Sequence, residues 1–138
     1  MNGNLCALGN PTSTPHTILE LENNTFLILY VNTDSYSYSL KYYEYSKEAS
    51  ATPEKEIKVY ALEDSNNLRV AIANFQTANP DYYVNLEIGM SGTDGVTASD
   101  AITTLNTNIM AGNGPDVLFL DGISIDSYVE KGLLADLS

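Results

Sequence analysis

Gly112-Asn113-Gly114-Pro115-Asp116-Val117-Leu118-Phe119-Leu120-Asp121-Gly122 leads two glycines and a proline into four apolar residues, then stops on an acid and a glycine. Glycine admits left-handed backbone, while proline fixes φ and lacks an N–H, so the opening reads as a turn. The run Val117–Leu120 is apolar on both faces. That is the pattern of a strand covered on both sides of a parallel sheet, and it is expected to be the central one. On this reading Asp116 serves the turn, Phe119 is core, and Asp121-Gly122 comes to the strand's carboxyl end.

Working back from this strand, the chain alternates strand and helix. Ile57-Lys58-Val59-Tyr60-Ala61-Leu62 reads as a strand, followed by Glu63-Asp64-Ser65, in which Asp64 or Ser65 can cap a helix. Leu68, Ile72, Phe75 and Ala78 fall on one helical face, and Asn79-Pro80 ends the segment. Tyr83 to Ile88 alternates as a second strand, with Val84, Leu86 and Ile88 inward. A Gly-rich loop from Gly89 to Gly95 precedes a helix with Ala98, Ile102, Leu105 and Ile109 as its buried stripe. Thr97 and Asp100 have the spacing of a capping box, although Glu or Gln is the usual third residue. A short helix near Asp126–Lys131 closes on Gly132. Strand-helix alternation of this kind predicts a parallel sheet with right-handed crossovers.

Before residue 50 the hydrophobic period is two. Three β-rich runs, Ile18–Leu21, Phe26–Val31 and Tyr36–Tyr42, are separated by Glu22–Thr25 and Asn32–Ser35. They read as an antiparallel meander. Tyr36, Tyr38, Leu40 and Tyr42 are expected on one face, either as a stacking surface for sugars or as residues suited to a half-exposed pleat. Three strands without a covering layer are a marginal unit. Residues 1–55 are therefore read as the tail of a larger β domain, with the small, polar stretch 48–54 as linker. The fold class is α/β: a β-α-β-α-β-α parallel sheet over 56–138 behind an N-terminal antiparallel meander.

Composition narrows the function. The 138 residues are 43% hydrophobic and 17% charged, a foldable balance. Eighteen acids against six bases give a net charge of −12. A field of that sign repels nucleic acid and anionic membranes, and it also simply aids solubility. One cysteine, Cys6, excludes an internal disulfide and a multi-cysteine metal site. The single histidine, His16, beside Pro15, reads as a loop residue, which removes histidine-dependent hydrolysis and histidine zinc motifs. No apolar run approaches membrane-spanning length. The stretch MNGNLCALGN lacks the n- and h-regions of a signal peptide; an exported protein would carry its signal outside this segment.

In an open parallel sheet, ligands sit beyond the carboxyl ends of strands where strand order reverses. That rule selects Glu63, Asp64 and Ser65, the Gly89–Val96 loop, and Asp121 and Gly122. These groups accept hydrogen bonds and carry negative charge, so they suit a polyhydroxylated or cationic ligand. The alternative is that Asp64 and Asp121 cap helices and complement their dipoles. Val117–Asp121 has the shape of a Walker B strand, but no phosphate-binding loop accompanies it, which excludes an NTPase. No nucleophile elbow is present, and the Asp-Gly turn in the Gly-rich loop lacks EF-hand spacing. A glycosidase pair of strand-end acids is left as a weak reading.

The stretches Phe75-Gln76-Thr77-Ala78-Asn79-Pro80-Asp81, Val84-Asn85-Leu86, Gly112-Asn113-Gly114-Pro115-Asp116-Val117 and Gly132-Leu133-Leu134-Ala135-Asp136-Leu137 together carry a resemblance. Residues 56–138 resemble the start of bacterial extracellular solute-binding proteins, the sugar receptors of ABC importers of the maltose-binding type. The resemblance implies the first part of lobe one of a hinged, two-lobed, non-enzymatic receptor without cofactor or metal. Family contacts after the first and third strands map onto Glu63, Asp64, Ser65, Asp121 and Gly122. It further implies a carbohydrate solute, ABC permease subunits as partners, and a cell-surface lipoprotein of a Gram-positive bacterium, membrane-attached only through a lipid anchor outside the segment. Some such receptors carry a β-propeller-like extension, and by analogy the meander is its last blade. Tyr60 and Tyr128 are stacking residues if they face the cleft. Half a cleft is expected to show no saturable sugar binding. A surface glycan-processing enzyme or a sensor and interaction module are the alternatives.

Overall fold

The computed structural model describes residues 8–47, 53, 55–92 and 95–137. Cys6, most of the 48–54 stretch and Thr93-Asp94 lie outside them. The described parts of Met1–Lys55 and Ser65–Tyr83 form one compact unit, and those of Glu56–Asp64 and Val84–Ser138 form a second.

In the first unit, strands β1 (Ser13–Glu20), β2 (Thr25–Asn32) and β3 (Tyr38–Glu44) make an antiparallel sheet in the order β1-β2-β3. Asn23 and Asn24 take positive φ (61° and 58°) in the β1–β2 turn, a conformation asparagine tolerates better than most residues. The Asn32 side chain accepts from the Asp34 and Ser35 N–H groups and shapes the β2–β3 turn. Two expectations are corrected here. His16 lies within β1, exposed, with Nδ1 3.1 Å from Thr17 Oγ1. A register shift between Pro15 and Thr17 lets proline sit in this edge strand. Tyr36 belongs to the turn, at φ 54°, and not to the strand.

The register sets Tyr38 against Val31, Leu40 against Leu29 and Tyr42 against Leu27, so these residues share one face, and that face is open. Tyr38, Leu40 and Tyr42 are 71%, 64% and 60% exposed. On the other face Ile28 and Tyr30 are buried; the Tyr30 hydroxyl pairs with that of Tyr43 at 2.9 Å, and the Lys41 ammonium lies 5.3 Å from the Tyr30 ring centre.

Helix α1 (Asn66–Ala78) starts at Ser65, its N-cap residue, whose side chain makes no capping bond. The predicted stripe is corrected as well. Leu68 and Ile72 are half-buried, Phe75 is exposed, and the buried residues are Ala73 and Gln76, about 100° around the helix. Phe75 instead meets Tyr82 edge-on, with ring centres 5.9 Å apart. The Gln76 Nε2 is buried without a hydrogen-bond partner.

The second unit holds strands β4 (Lys55–Glu63), β5 (Tyr82–Met90) and β6 (Val117–Phe119) as a parallel sheet in the order β5-β4-β6. Helices α2 (Ala98–Met110) and α3 (Ile125–Glu130) accompany it. Tyr60, Leu62, Ala101, Leu105, Ile123 and Tyr128 form the buried core, with Ile102, Ile109, Leu118 and Leu120 packed against it. The α2 stripe therefore holds, apart from Ala98, which is exposed.

The central strand is β4, not β6. Four consecutive β4 residues, Val59 to Leu62, are buried, whereas Val117 and Phe119 are 50% and 41% exposed. β6 pairs on one side only. Its Leu118–Leu120 face joins the core, and its Val117–Phe119 face stays open, so Phe119 is not core.

Turn chemistry delivers β6. Gly112, at φ 76°, follows the last turn of α2; its N–H donates to Ile109 O and that of Asn113 to Asn108 O, a Schellman closure. Gly132 (φ 63°) closes α3 the same way, with Leu133 N–H donating to Tyr128 O. Asp116 then fixes the register. Its N–H donates to Lys58 O (2.9 Å), and its Oδ2 accepts from Lys58 N–H (2.8 Å). At α2 the capping box is complete despite its aspartate: Asp100 N–H donates to Thr97 Oγ1 (3.3 Å), and Thr97 N–H donates to Asp100 Oδ2 (3.2 Å).

Candidate functional site

The order β5-β4-β6 has a functional corollary. The chain runs from β4 to a neighbour on one side, β5, and later to a neighbour on the other, β6. Strand order thus reverses between β4 and β6, which is where open parallel sheets hold ligands. Glu63 and Asp64 leave the carboxyl end of β4, and Asp121 and Gly122 leave that of β6. The two ends are close: a Cβ on Gly122 would lie 3.1 Å from Leu62 Cδ2.

The β6 end is a tight turn. Ile123 N–H donates to Leu120 O at 3.0 Å, so Asp121 and Gly122 occupy its two central positions. Gly122 takes φ 76° there, where an L side chain would be strained. The turn sends Ile123 into the core and leaves Asp121 exposed. Glu63 and Asp64 are exposed in the same way.

Electrostatics reinforce the pattern. Within Glu56–Asp64 and 117–130 the one basic residue is Lys58, which is beside Asp116 near the opposite end of β4. The carboxyl ends of β4 and β6 thus carry three exposed acids, Glu63, Asp64 and Asp121. Carboxylates are pure acceptors, which suits hydroxyl, amide or ammonium donors and disfavours phosphate or carboxylate ligands.

Ser65 belongs to the other compact unit, as the N-cap residue of α1. The Gly-rich loop is shorter than the sequence suggests, because β5 runs on through Gly89 and Met90. Tyr60 and Tyr128 do not face a cleft. Both are buried, the Tyr60 hydroxyl near Ala101 O (3.4 Å) and the Tyr128 hydroxyl donating to Asn106 Oδ1 (2.8 Å). Burial first, then the Glu87 charge and Tyr128, push the Tyr60 hydroxyl above the usual tyrosine value; burial does the same for Tyr128.

A second concavity was not legible in the sequence. In the first unit a shallow hollow of about 370 Å³ lies among Pro11 and Thr12, Thr33 and Asp34 of the β2–β3 turn, and Asn66, Asn67 and Val70 of α1. Its walls are mostly polar and it is open, and nothing in the spacing of these residues along the chain signals that they meet.

Among the described residues no group of three or more His, Cys, Asp or Glu side chains is arranged to hold a metal ion, and no helix is long and apolar enough to cross a membrane. No protein-family model, curated protein or solved structure matches the chain.

Proposed function

We propose that the second unit is part of a solute-binding receptor that takes a neutral, polyhydroxylated ligand, a sugar or oligosaccharide, at the carboxyl ends of β4 and β6. One observation carries this reading: the strand order β5-β4-β6 puts the reversal point between two ends that both present exposed carboxylates. Glu63, Asp64 and Asp121 accept hydrogen bonds from ligand hydroxyls, and Gly122, at φ 76°, holds the turn that leaves Asp121 exposed. The residue resemblance to extracellular solute-binding proteins supports the same reading and supplies its wider setting. In that setting a second lobe closes over the ligand, ABC permease subunits are the partners, and a lipid anchor holds the receptor at the cell surface. The receptor is not an enzyme.

The test is calorimetric titration of maltose, cellobiose and xylobiose into the protein expressed from its full reading frame and into the 138-residue chain. The longer protein binds one of them saturably, Asp121→Ala weakens that binding at least tenfold, and the 138-residue chain shows no saturation. Equal, tight binding by both chains overturns the two-lobe reading, and turnover of a glycoside by the longer protein overturns the receptor reading.

A further inference from the structure

We propose that the first unit associates with a second copy of this chain through the outer edge of β3, two β3 strands pairing antiparallel into one continuous six-stranded sheet. The two edges of the β1-β2-β3 sheet are unlike each other. β1 carries Pro15 and an irregular register, both devices that blunt an edge against strand addition. β3 has neither proline nor bulge, and its seven residues pair in unbroken register with β2 on one side only. Its side chains compound the exposure, because Tyr38, Leu40 and Tyr42 form an uncharged, largely open row continuous with Leu29 and Leu27 on the same face. An exposed apolar sheet face of that kind, ending on an unprotected strand edge, marks an interaction surface.

Charge selects the occupant and its register. Antiparallel pairing that keeps the apolar row on one face must centre on a residue of β3. Centring on Lys41 sets two ammonium groups directly opposite each other, which is destabilising. Centring on Leu40 pairs Leu40 with its own copy, Tyr38 with the second copy's Tyr42, and Lys41 with the second copy's Ser39. Of the other centres, Ser39 overlaps only three residues of β3 and Tyr42 sets Leu40 against Glu44, so the Leu40 register is the best matched, with two Tyr–Tyr pairs flanking a Leu–Leu pair. The overlap is five residues, well short of the roughly 800 Å² per partner of a stable interface, so the dimer is weak, with a Kd on the order of 100 µM. Each copy carries a net charge of −12, and salt strengthens the association by screening it.

Sedimentation equilibrium of the chain from about 10 µM to about 1 mM, in low and high salt, tests this together with cysteine crosslinking in a Cys6→Ser background. The expected result is a dimer fraction that rises with concentration and with salt. Leu40→Cys crosslinks to itself about tenfold faster than Tyr38→Cys or Tyr42→Cys alone, whereas Tyr38→Cys mixed with Tyr42→Cys crosslinks readily. Leu40→Lys, folded by circular dichroism, weakens association at least fivefold. A chain monomeric throughout, equal crosslinking at all three positions, or a dimer indifferent to Leu40→Lys overturns the proposal. So does a monomer whose Tyr38 and Tyr42 amide signals shift with cellohexaose, which assigns the row to a glycan.

Discussion

Gly89 is not at a positive φ, yet it is the position where one methyl group does most damage. A Cβ built there clashes with the Tyr60 hydroxyl and comes within 2.9 Å of Tyr60 Cζ and 3.2 Å of the Ala101 Cβ. Tyr60 cannot swing away freely, since it is buried at the centre of β4 among Leu62, Ala101 and Leu105. Gly89→Ala must therefore push β5 off β4 or force the ring into its neighbours. Overpacking of this type costs about 1–3 kcal/mol, and losing the long Tyr60–Ala101 hydrogen bond adds up to about 1. We expect about 2–3 kcal/mol, which lowers Tm by roughly 10 °C in a domain of this size. Denaturant unfolding with unchanged m-value and a thermal melt both read it. A double-mutant cycle sharpens the test. Tyr60→Phe alone costs about 1 kcal/mol or less, and because it removes the atom that Gly89→Ala strikes, the pair costs at least 1 kcal/mol less than the sum. A Gly89→Ala cost below about 0.5 kcal/mol, or strict additivity, refutes the reasoning.

Three further outcomes follow from the same geometry. Tyr128→Phe removes the 2.8 Å bond to Asn106 and costs about 1 kcal/mol by urea unfolding, without altering the far-ultraviolet spectrum. Gly112→Ala strains the Schellman closure at φ 76° and costs about 1–2 kcal/mol; Gly92→Ala, also at positive φ but in a loop, serves as the comparison for local strain alone. Tyr60 and Tyr128 ionise above their unfolded value near 10, so the stability held by their neutral forms is intact below pH ~10 and is lost as pH rises through the raised values. Absorbance at 295 nm should accordingly show a late tyrosine step coincident with unfolding in alkaline titration, and Tyr60→Phe should shrink it.

Much of this fold is legible in the chain because its signals are local. The period-two runs of the meander, the capping box at Thr97 and Asp100, and the glycines after α2 and α3 each depend on residues a few positions apart. Strand order is not local. Val117–Leu120 and Val59–Leu62 are apolar runs of equal length, so the runs alone do not rank the strands; β4 is central because β5 and β6 flank it. The sequence likewise marks Gly89 as a loop residue; only the tertiary approach of Tyr60 explains a glycine inside β5. Tyrosines posed a related difficulty. Tyr60 and Tyr128 pattern like stacking residues but satisfy their hydroxyls inside the core, while Tyr38 and Tyr42 stand open. At the site, the acids at 63, 64 and 121 were selected by their position after strands, and the reversal between β4 and β6 is what makes Glu63 and Asp121 neighbours in the fold.

Where a ligand touches the second unit decides the proposed function most directly. The measurement is amide chemical-shift mapping by NMR as the oligosaccharide selected by calorimetry is titrated into the full-reading-frame protein. Among the described residues the largest shifts are expected on Glu63, Asp64, Asp121 and Gly122, and Asp121→Ala is expected to need at least tenfold more ligand to produce them. Shifts concentrated instead at Thr12, Asp34 and Asn66, or along Tyr38–Tyr42, with the β4 and β6 ends silent, would contradict it.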